Sequence, residues 1–255
     1  KNFRKLGSLT PGHPEIETPG VDANTGPLGQ GVGMGIGIAL AEKASSTSSL
    51  KRFTYILAGD GDLQEPIALG ASTLAGHWKL SNLIMFYDKN DIQIAGNTSR
   101  VDSTDYAKLY DAMGWHVQEI DGHNHEEIRS ALKSAQLNDK PSIIIGRTVI
   151  AKGSYSLENS HKSHGAPFSE DEIKLTKEKL EIPQDSFFCN EDIIGHFQRN
   201  FDNLNSKITA IDKEFGENNY NLNQMFESLS IPDFGSDLMA TRQAFGLSLD
   251  EFAKK

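Results

Sequence analysis

One cysteine, Cys189, in 255 residues leaves nothing to pair into an internal disulfide, and so sparing a use of thiol fits a reducing cytoplasm. Positive charge is also short. Lys and Arg total 25 against 35 Asp and Glu, a formal net charge of −10. A chain so acidic is no general nucleic-acid binder, because phosphate backbones demand a basic footprint. Any phosphorylated substrate must then be gripped by a few local cations, not by the overall field. No apolar run approaches the ~20 residues that span a bilayer, which argues against a membrane partner. No secretory leader is visible. Because the sequence opens at Lys1 without a methionine, the natural chain is expected to start further upstream. What is present, 37% hydrophobic and 24% charged residues, suits a globular enzyme rather than a disordered chain.

Segment 26–44 (GPLGQGVGMGIGIALAEKA) opens on Gly-Pro and closes its apolar stretch near a lysine, which predicts a helix with a defined start and stop. Its glycines at 29, 31, 33, 35 and 37 each cost about 1 kcal/mol of helix propensity relative to alanine. Such an accumulation predicts a very close neighbour: a sheet, a cofactor or a symmetry mate. The serine-rich run 45–49 reads as a loop. Residues 53–58 (FTYILA) and 83–87 (LIMFY) read as buried strands, with a helix over 65–77 between them. Further helices are predicted over 105–113 and 126–135, and further strands over 115–120 and 142–148. Strands alternating with helices of this length predict an α/β fold, a doubly wound parallel sheet with helices on both faces. After about Asp185 the composition turns polar, so 186–235 reads as a helical connection between domains. From Ser236 an amphipathic helix opens what reads as a second domain. No internal repeat is apparent.

The chemistry concentrates at two strand ends. Gly59-Asp60-Gly61-Asp62 follows the first predicted strand and Asp88-Lys89-Asn90 ends the second. Asp60 and Asn90 stand thirty residues apart, the length of one strand–helix–strand unit. A right-handed crossover puts both strand ends on one edge of the sheet, where open α/β sheets bind ligands. The Asp60 carboxylate, the Asn90 carbonyl and the Ile92 backbone carbonyl are hard oxygen donors suited to Mg²⁺ or Ca²⁺. The glycines let backbone approach a phosphate, and the following helix aims its N-terminus at the same place. The motif therefore reads as a metal-bridged diphosphate site. An isolated Gly-Asp-Gly is more often a plain turn; the asparagine at this spacing after a second buried strand reverses that preference.

The pair resembles the thiamine diphosphate signature, and the resemblance extends along essentially the whole chain. Pro11-Gly12-His13-Pro14-Glu15, Thr25-Gly26-Pro27-Leu28-Gly29-Gln30-Gly31, His164-Gly165-Ala166-Pro167 and Met239-Ala240-Thr241-Arg242 are similar to transketolase motifs, in that family's order. The resemblance implies that residues 1–185 form the diphosphate- and metal-binding domain without its N-terminal part, and that 236–255 begin the pyrimidine-binding domain. About eighty residues, with two further active-site histidines, would precede Lys1. Asp60, Asn90 and Ile92 would hold the metal, and Gly61 would donate its amide to the diphosphate. Gly26, Pro27 and Leu28 would lie against the aminopyrimidine. His13 and His164 would be catalytic and touch substrate, His164 reaching the diphosphate as well. Glu65 would sit at a dimer interface, directed at the partner's cofactor-activating glutamate.

The implied activity is ketol transfer between sugar phosphates in the pentose phosphate pathway, by a homodimer or by a split enzyme completed by a C-terminal subunit. His161 reads as structural, and His123 and His125 as helix capping. One departure stands out: Pro66 follows Glu65, where transketolases usually carry glycine and homodimeric pyruvate dehydrogenase E1 components more often carry proline. A 2-oxo acid dehydrogenase E1, a deoxyxylulose phosphate synthase and a non-catalytic paralogue therefore stay open at this point.

Overall fold

The computed structural model describes residues 2–45, 52–215, 234 and 239–253. These fall into two compact units, one ending at Gln184 and the other starting at Asp185. The first unit is built on a four-stranded sheet: β1 Thr54–Gly59, β2 Leu83–Lys89, β5 His116–Asp121 and β6 Ser142–Arg147, in the order β1-β2-β6-β5. All pairings are parallel, and Gly59 stands opposite Asp88 at the carboxyl ends of the first two strands. A two-residue hairpin, β3 Ile92–Gln93 and β4 Gly96–Asn97, follows β2.

Alternation along β2 divides the core. Leu83, Met85 and Tyr87 face one side, with Val32, Ile36 and Ala39 of α1 (Gln30–Ser45), Ala68 and Ala75 of α3 (Pro66–His77), and Tyr106 and Tyr110 of α4 (Tyr106–Ala112). Ile84 and Phe86 face the other, against Ala131 and Ala135 of α5 (His125–Leu137). Successive side chains of a strand point to opposite faces, so an unbroken apolar run such as LIMFY is what a sheet covered on both faces requires. On β1 the second face is left open: Tyr55 is 55% and Leu57 77% exposed.

The close neighbours demanded by the α1 glycines are the sheet and α3, where a Cβ on Gly33 would stand 3.3 Å from Ile67. A Cβ built on Gly35 would stand 2.7 Å from the Ile56 side chain, whereas Gly37 has nothing within 4 Å. The helix starts at Gln30, later than the Gly26 read from the sequence, because 26–29 form the turn leading into it. Two helices escaped the sequence reading: α2 Asp60–Gln64, a single turn and a half, and α6 Glu170–Lys179, capped by the Ser169 hydroxyl. Of the serine run 45–49 expected as a loop, Ser45 ends α1 and the rest lies outside the described residues.

In the second unit α7 spans Glu191–Phe215 and α8 spans Thr241–Ala253. α7 falls inside the stretch 186–235 that was expected as a helical connection, and of the remainder of that stretch after Phe215 only Phe234 is among the described residues. The start expected at Ser236 lies outside them too. Among the described residues, no helix is long and apolar enough to cross a membrane.

Candidate functional site

The turn leaving β1 is where the motifs meet. Asp60, the first residue of α2, is 6% exposed. Its Oδ1 accepts the Tyr87 hydroxyl at 2.7 Å and its Oδ2 accepts the Asp91 amide at 3.1 Å. Burial pushes the Asp60 carboxyl above its ordinary value; the Tyr87 hydrogen bond works against that, and the nearby Asp91 charge adds to it. Burial also holds the Tyr87 phenol well above its ordinary range, with the Asp60 hydrogen bond and charge adding to it.

Across the sheet edge, Asn90 Oδ1 accepts the Ile92 amide at 3.0 Å, an Asx turn that folds the chain back after β2. Asp91, at its centre, has φ +60, a left-handed conformation that Asp tolerates better than most residues. Lys89 pairs with Asp91. A cavity of about 410 Å³ opens here, with Asp60, Tyr87, Lys89, Asp91, Asp102 and Tyr106 in its wall.

On the other side of the same turn one loop lies against it, and a second segment lies on that loop. A Cβ on Gly61 would stand 3.3 Å from Leu28, and one on Gly26 would stand 2.8 Å from the His13 side chain. His13, although exposed, is thus seated on the loop formed by Gly26, Pro27 and Leu28. The pin is Asp62, whose two carboxylate oxygens accept the amides of Gly29 and Gly59, both at 2.9 Å. The sequence reading missed Asp62, yet a signal existed: an acidic residue three positions after a helix's N-cap is the second half of a capping box. Tyr87 was missed because it reads only as the last member of an apolar run.

Glu65 is the N-cap of α3, and its Cβ lies against Gly29. Pro66 occupies the first position of that helix, where the missing N–H costs no hydrogen bond. The departure from glycine is therefore accommodated by the fold.

His164 stands apart, closing a 3-10 turn over His161–Ser163, and forms no hydrogen bond to Asp60, Asn90 or His13 among the described residues. Its Nδ1 is buried and without a partner. The preceding loop is held by α6. Glu172 accepts the Ser156 amide at 2.8 Å and the Ser156 hydroxyl at 2.6 Å, and Lys179 donates to the Ser154 carbonyl at 2.8 Å. Capping by the paired histidines is not what the structure holds. Asn124 caps α5, and His123 Nε2 instead accepts the Val149 amide at 2.8 Å, tying the loop before α5 to the one after β6.

No group of three or more His, Cys, Asp or Glu able to hold a metal occurs among the described residues. One buried carboxylate with neutral oxygens beside it is a different donor set, fitted to a hard cation whose remaining ligands come from a diphosphate and water. Each Asp60 oxygen, and the Asn90 oxygen, accepts one hydrogen bond here and keeps acceptor capacity for a cation. The residues fit such a group.

Comparison with known proteins shows the family. The model of the family described as "Transketolase, thiamine diphosphate binding domain" matches residues 1–230. Transketolase 1 of Saccharomyces cerevisiae is 40% identical over 251 residues, which cover 93% of this chain and 35% of that one. The chloroplastic transketolase of Zea mays is 41% identical over 210 residues, 78% of this chain and 31% of that one. The crystal structure of Campylobacter jejuni transketolase superposes with a TM-score of 0.83 at 40% identity, covering 99% of this chain and 42% of that one. Leishmania mexicana transketolase gives a TM-score of 0.85 at 33% identity, with 99% and 41% covered. The chain spans about a third of the length of the curated relatives it matches. By sequence and by fold alike, this chain belongs to the transketolase family and carries its thiamine diphosphate binding domain.

Proposed function

We propose that this chain supplies the diphosphate and metal half-site of a transketolase, which moves a two-carbon ketol unit from a ketose phosphate to an aldose phosphate in the pentose phosphate pathway. The observation carrying this reading is the buried Asp60 carboxylate, hydrogen-bonded to the amide that follows Asn90 across the β1–β2 edge. When bound, thiamine diphosphate supplies the chemistry of carbon–carbon cleavage and formation.

Asp60, Asn90 and the Ile92 carbonyl would hold Mg²⁺ or another divalent cation, and Gly61 would donate its amide to the diphosphate. Gly26, Pro27 and Leu28 would support the aminopyrimidine. His13, seated on Gly26, would hydrogen-bond to the substrate and move protons at its sugar hydroxyls, and His164, with its unpartnered Nδ1, would reach both the cofactor diphosphate and the substrate. Residues 1–185 form the diphosphate- and metal-binding domain in this reading, 186–235 the connection, and 236–255 the start of the pyrimidine-binding domain.

The pyrimidine half-site would come from a second copy of the enzyme, or from a complementary subunit if the enzyme is split. Exposed Met34 and Ile38 on α1, with Ile67 and Leu74 on α3, support a homodimer built on these two helices, with Glu65 at their edge. The single, exposed Cys189 supports a cytoplasmic setting, while the chloroplastic relative names the alternative.

The test is substrate choice by the full-length enzyme containing this chain. Xylulose 5-phosphate should be consumed only when ribose 5-phosphate or another aldose phosphate is present. Decarboxylation of pyruvate with indifference to sugar phosphates would contradict the reading and make Pro66 the better guide.

A further inference from the structure

Asp60 has a second neighbour whose arrangement asks for an explanation. Tyr87 is 1% exposed, and its hydroxyl donates to Asp60 Oδ1 at 2.7 Å. The ring sits in β2 opposite Ala58 of β1, so its height relative to Asp60 is set by the sheet. It is wedged edge-on against Tyr106, with ring centroids 5.6 Å apart and planes at 72°. Tyr106 is itself anchored, its hydroxyl donating to Asp102 Oδ2 at 2.8 Å. The lysine in the same cavity wall, Lys89, pairs with Asp91. Asp60 is thus oriented by two neutral donors, one on each oxygen: the Tyr87 hydroxyl and the Asp91 amide. A neutral donor orients a carboxylate without cancelling the charge that a cation would need.

We infer that Tyr87 is a positioning residue for the metal: its hydroxyl fixes the rotation of the Asp60 carboxylate so that the remaining acceptor sites stay directed to the cation. This rests on the assignment of Asp60 as a metal ligand. Partners that orient a ligand from behind typically change metal affinity by ~10–100-fold when lost. A tyrosine that served only the fold would leave affinity unchanged.

The test uses the full-length enzyme and Mn²⁺ as the probe, titrated by electron paramagnetic resonance with thiamine diphosphate present. Three variants are compared: Tyr87→Phe, Asp60→Asn, and Tyr110→Phe, which removes another buried hydroxyl, the one bonded to Ser72 at 3.1 Å. Tyr87→Phe should weaken Mn²⁺ binding ~10–100-fold, Tyr110→Phe should leave it within about twofold, and the metal-free melting temperatures of the two should be similar. Activity of Tyr87→Phe should recover at saturating Mn²⁺. Unchanged Mn²⁺ affinity in Tyr87→Phe, with binding lost in Asp60→Asn, overturns the positioning role alone. Unchanged affinity in Asp60→Asn overturns the site assignment beneath it. A Tyr87→Phe protein that unfolds, or melts far below Tyr110→Phe, assigns the hydroxyl to the fold and equally overturns the inference.

Discussion

Asp62 Oδ1 accepts the backbone amide of Gly29 at 2.9 Å, across thirty-three residues of chain, and so ties the loop entering α1 to the turn that carries Asp60. The other oxygen of the same carboxylate holds Gly59. One side chain therefore sets the spacing between two sequence motifs.

Replacing Asp62 by alanine removes an ionised acceptor from two partly buried amides. Hydrogen bonds to charged groups contribute roughly 1.5–3 kcal/mol each when buried, so a loss of about 1–3 kcal/mol for this half-exposed pair is expected. Urea denaturation would register it as a lower midpoint with an unchanged slope. A wild-type midpoint would mean that the clamp carries no load.

Gly29 and Gly37 should respond in opposite directions to alanine. Gly29 has φ +74, and its Cβ would lie 2.6 Å from the Glu65 Cβ, so both backbone strain and a collision oppose the change. A loss of more than about 1 kcal/mol is expected. Gly37 lies exposed inside α1 with open space around it, where alanine should gain about 0.5–1 kcal/mol. Thermal unfolding of the two variants of this domain decides the matter, and equal effects would contradict the geometry.

The sheet and half of the site were legible because they depend on short-range pattern. LIMFY reads as a buried strand between turn signals, and Asp60 and Asn90 lie one crossover apart. What escaped depends on contacts distant in sequence or on elements too short for any period. The hairpin Ile92–Asn97 has two residues per strand, too few to alternate. Tyr87 reads as an apolar residue until Asp60 is placed above it, and His123 resembles a cap until Val149 is brought to it. The helix α6 is largely polar, so its apolar stripe is weak, although Ser169 followed by Glu172 is a legible N-terminal signal.

Glu172 gives a pH-dependent prediction. Its carboxyl lies below the ordinary value, chiefly through the hydrogen bonds of the Ser156 hydroxyl and amide. A folded-state pKa below the unfolded one means a contribution that is complete above the unfolded value, about 4.3. That contribution is lost as pH falls through the folded value. The stability difference between wild type and Glu172→Gln should be flat from about pH 6 upward and shrink below about pH 5. A difference that grows on acidification would contradict the assigned cause.

His13→Ala in the full enzyme should spare thiamine diphosphate affinity, because the role proposed for His13 is at the substrate hydroxyls and not at the cofactor. Turnover of xylulose 5-phosphate with ribose 5-phosphate should fall by the ~10²–10⁴-fold typical of a lost acid–base group. Loss of affinity with unchanged turnover at saturating cofactor would make His13 a cofactor clamp instead.

The most direct measurement is calorimetric titration of thiamine diphosphate into the full-length enzyme, with and without Mg²⁺, for wild type and Asp60→Ala. Wild type should bind tightly only when Mg²⁺ is present, and Asp60→Ala should lose that dependence together with the affinity. A metal-dependent affinity unchanged in Asp60→Ala would contradict the assignment of this sheet edge, the β1–β2 carboxyl ends, as the cofactor and metal site.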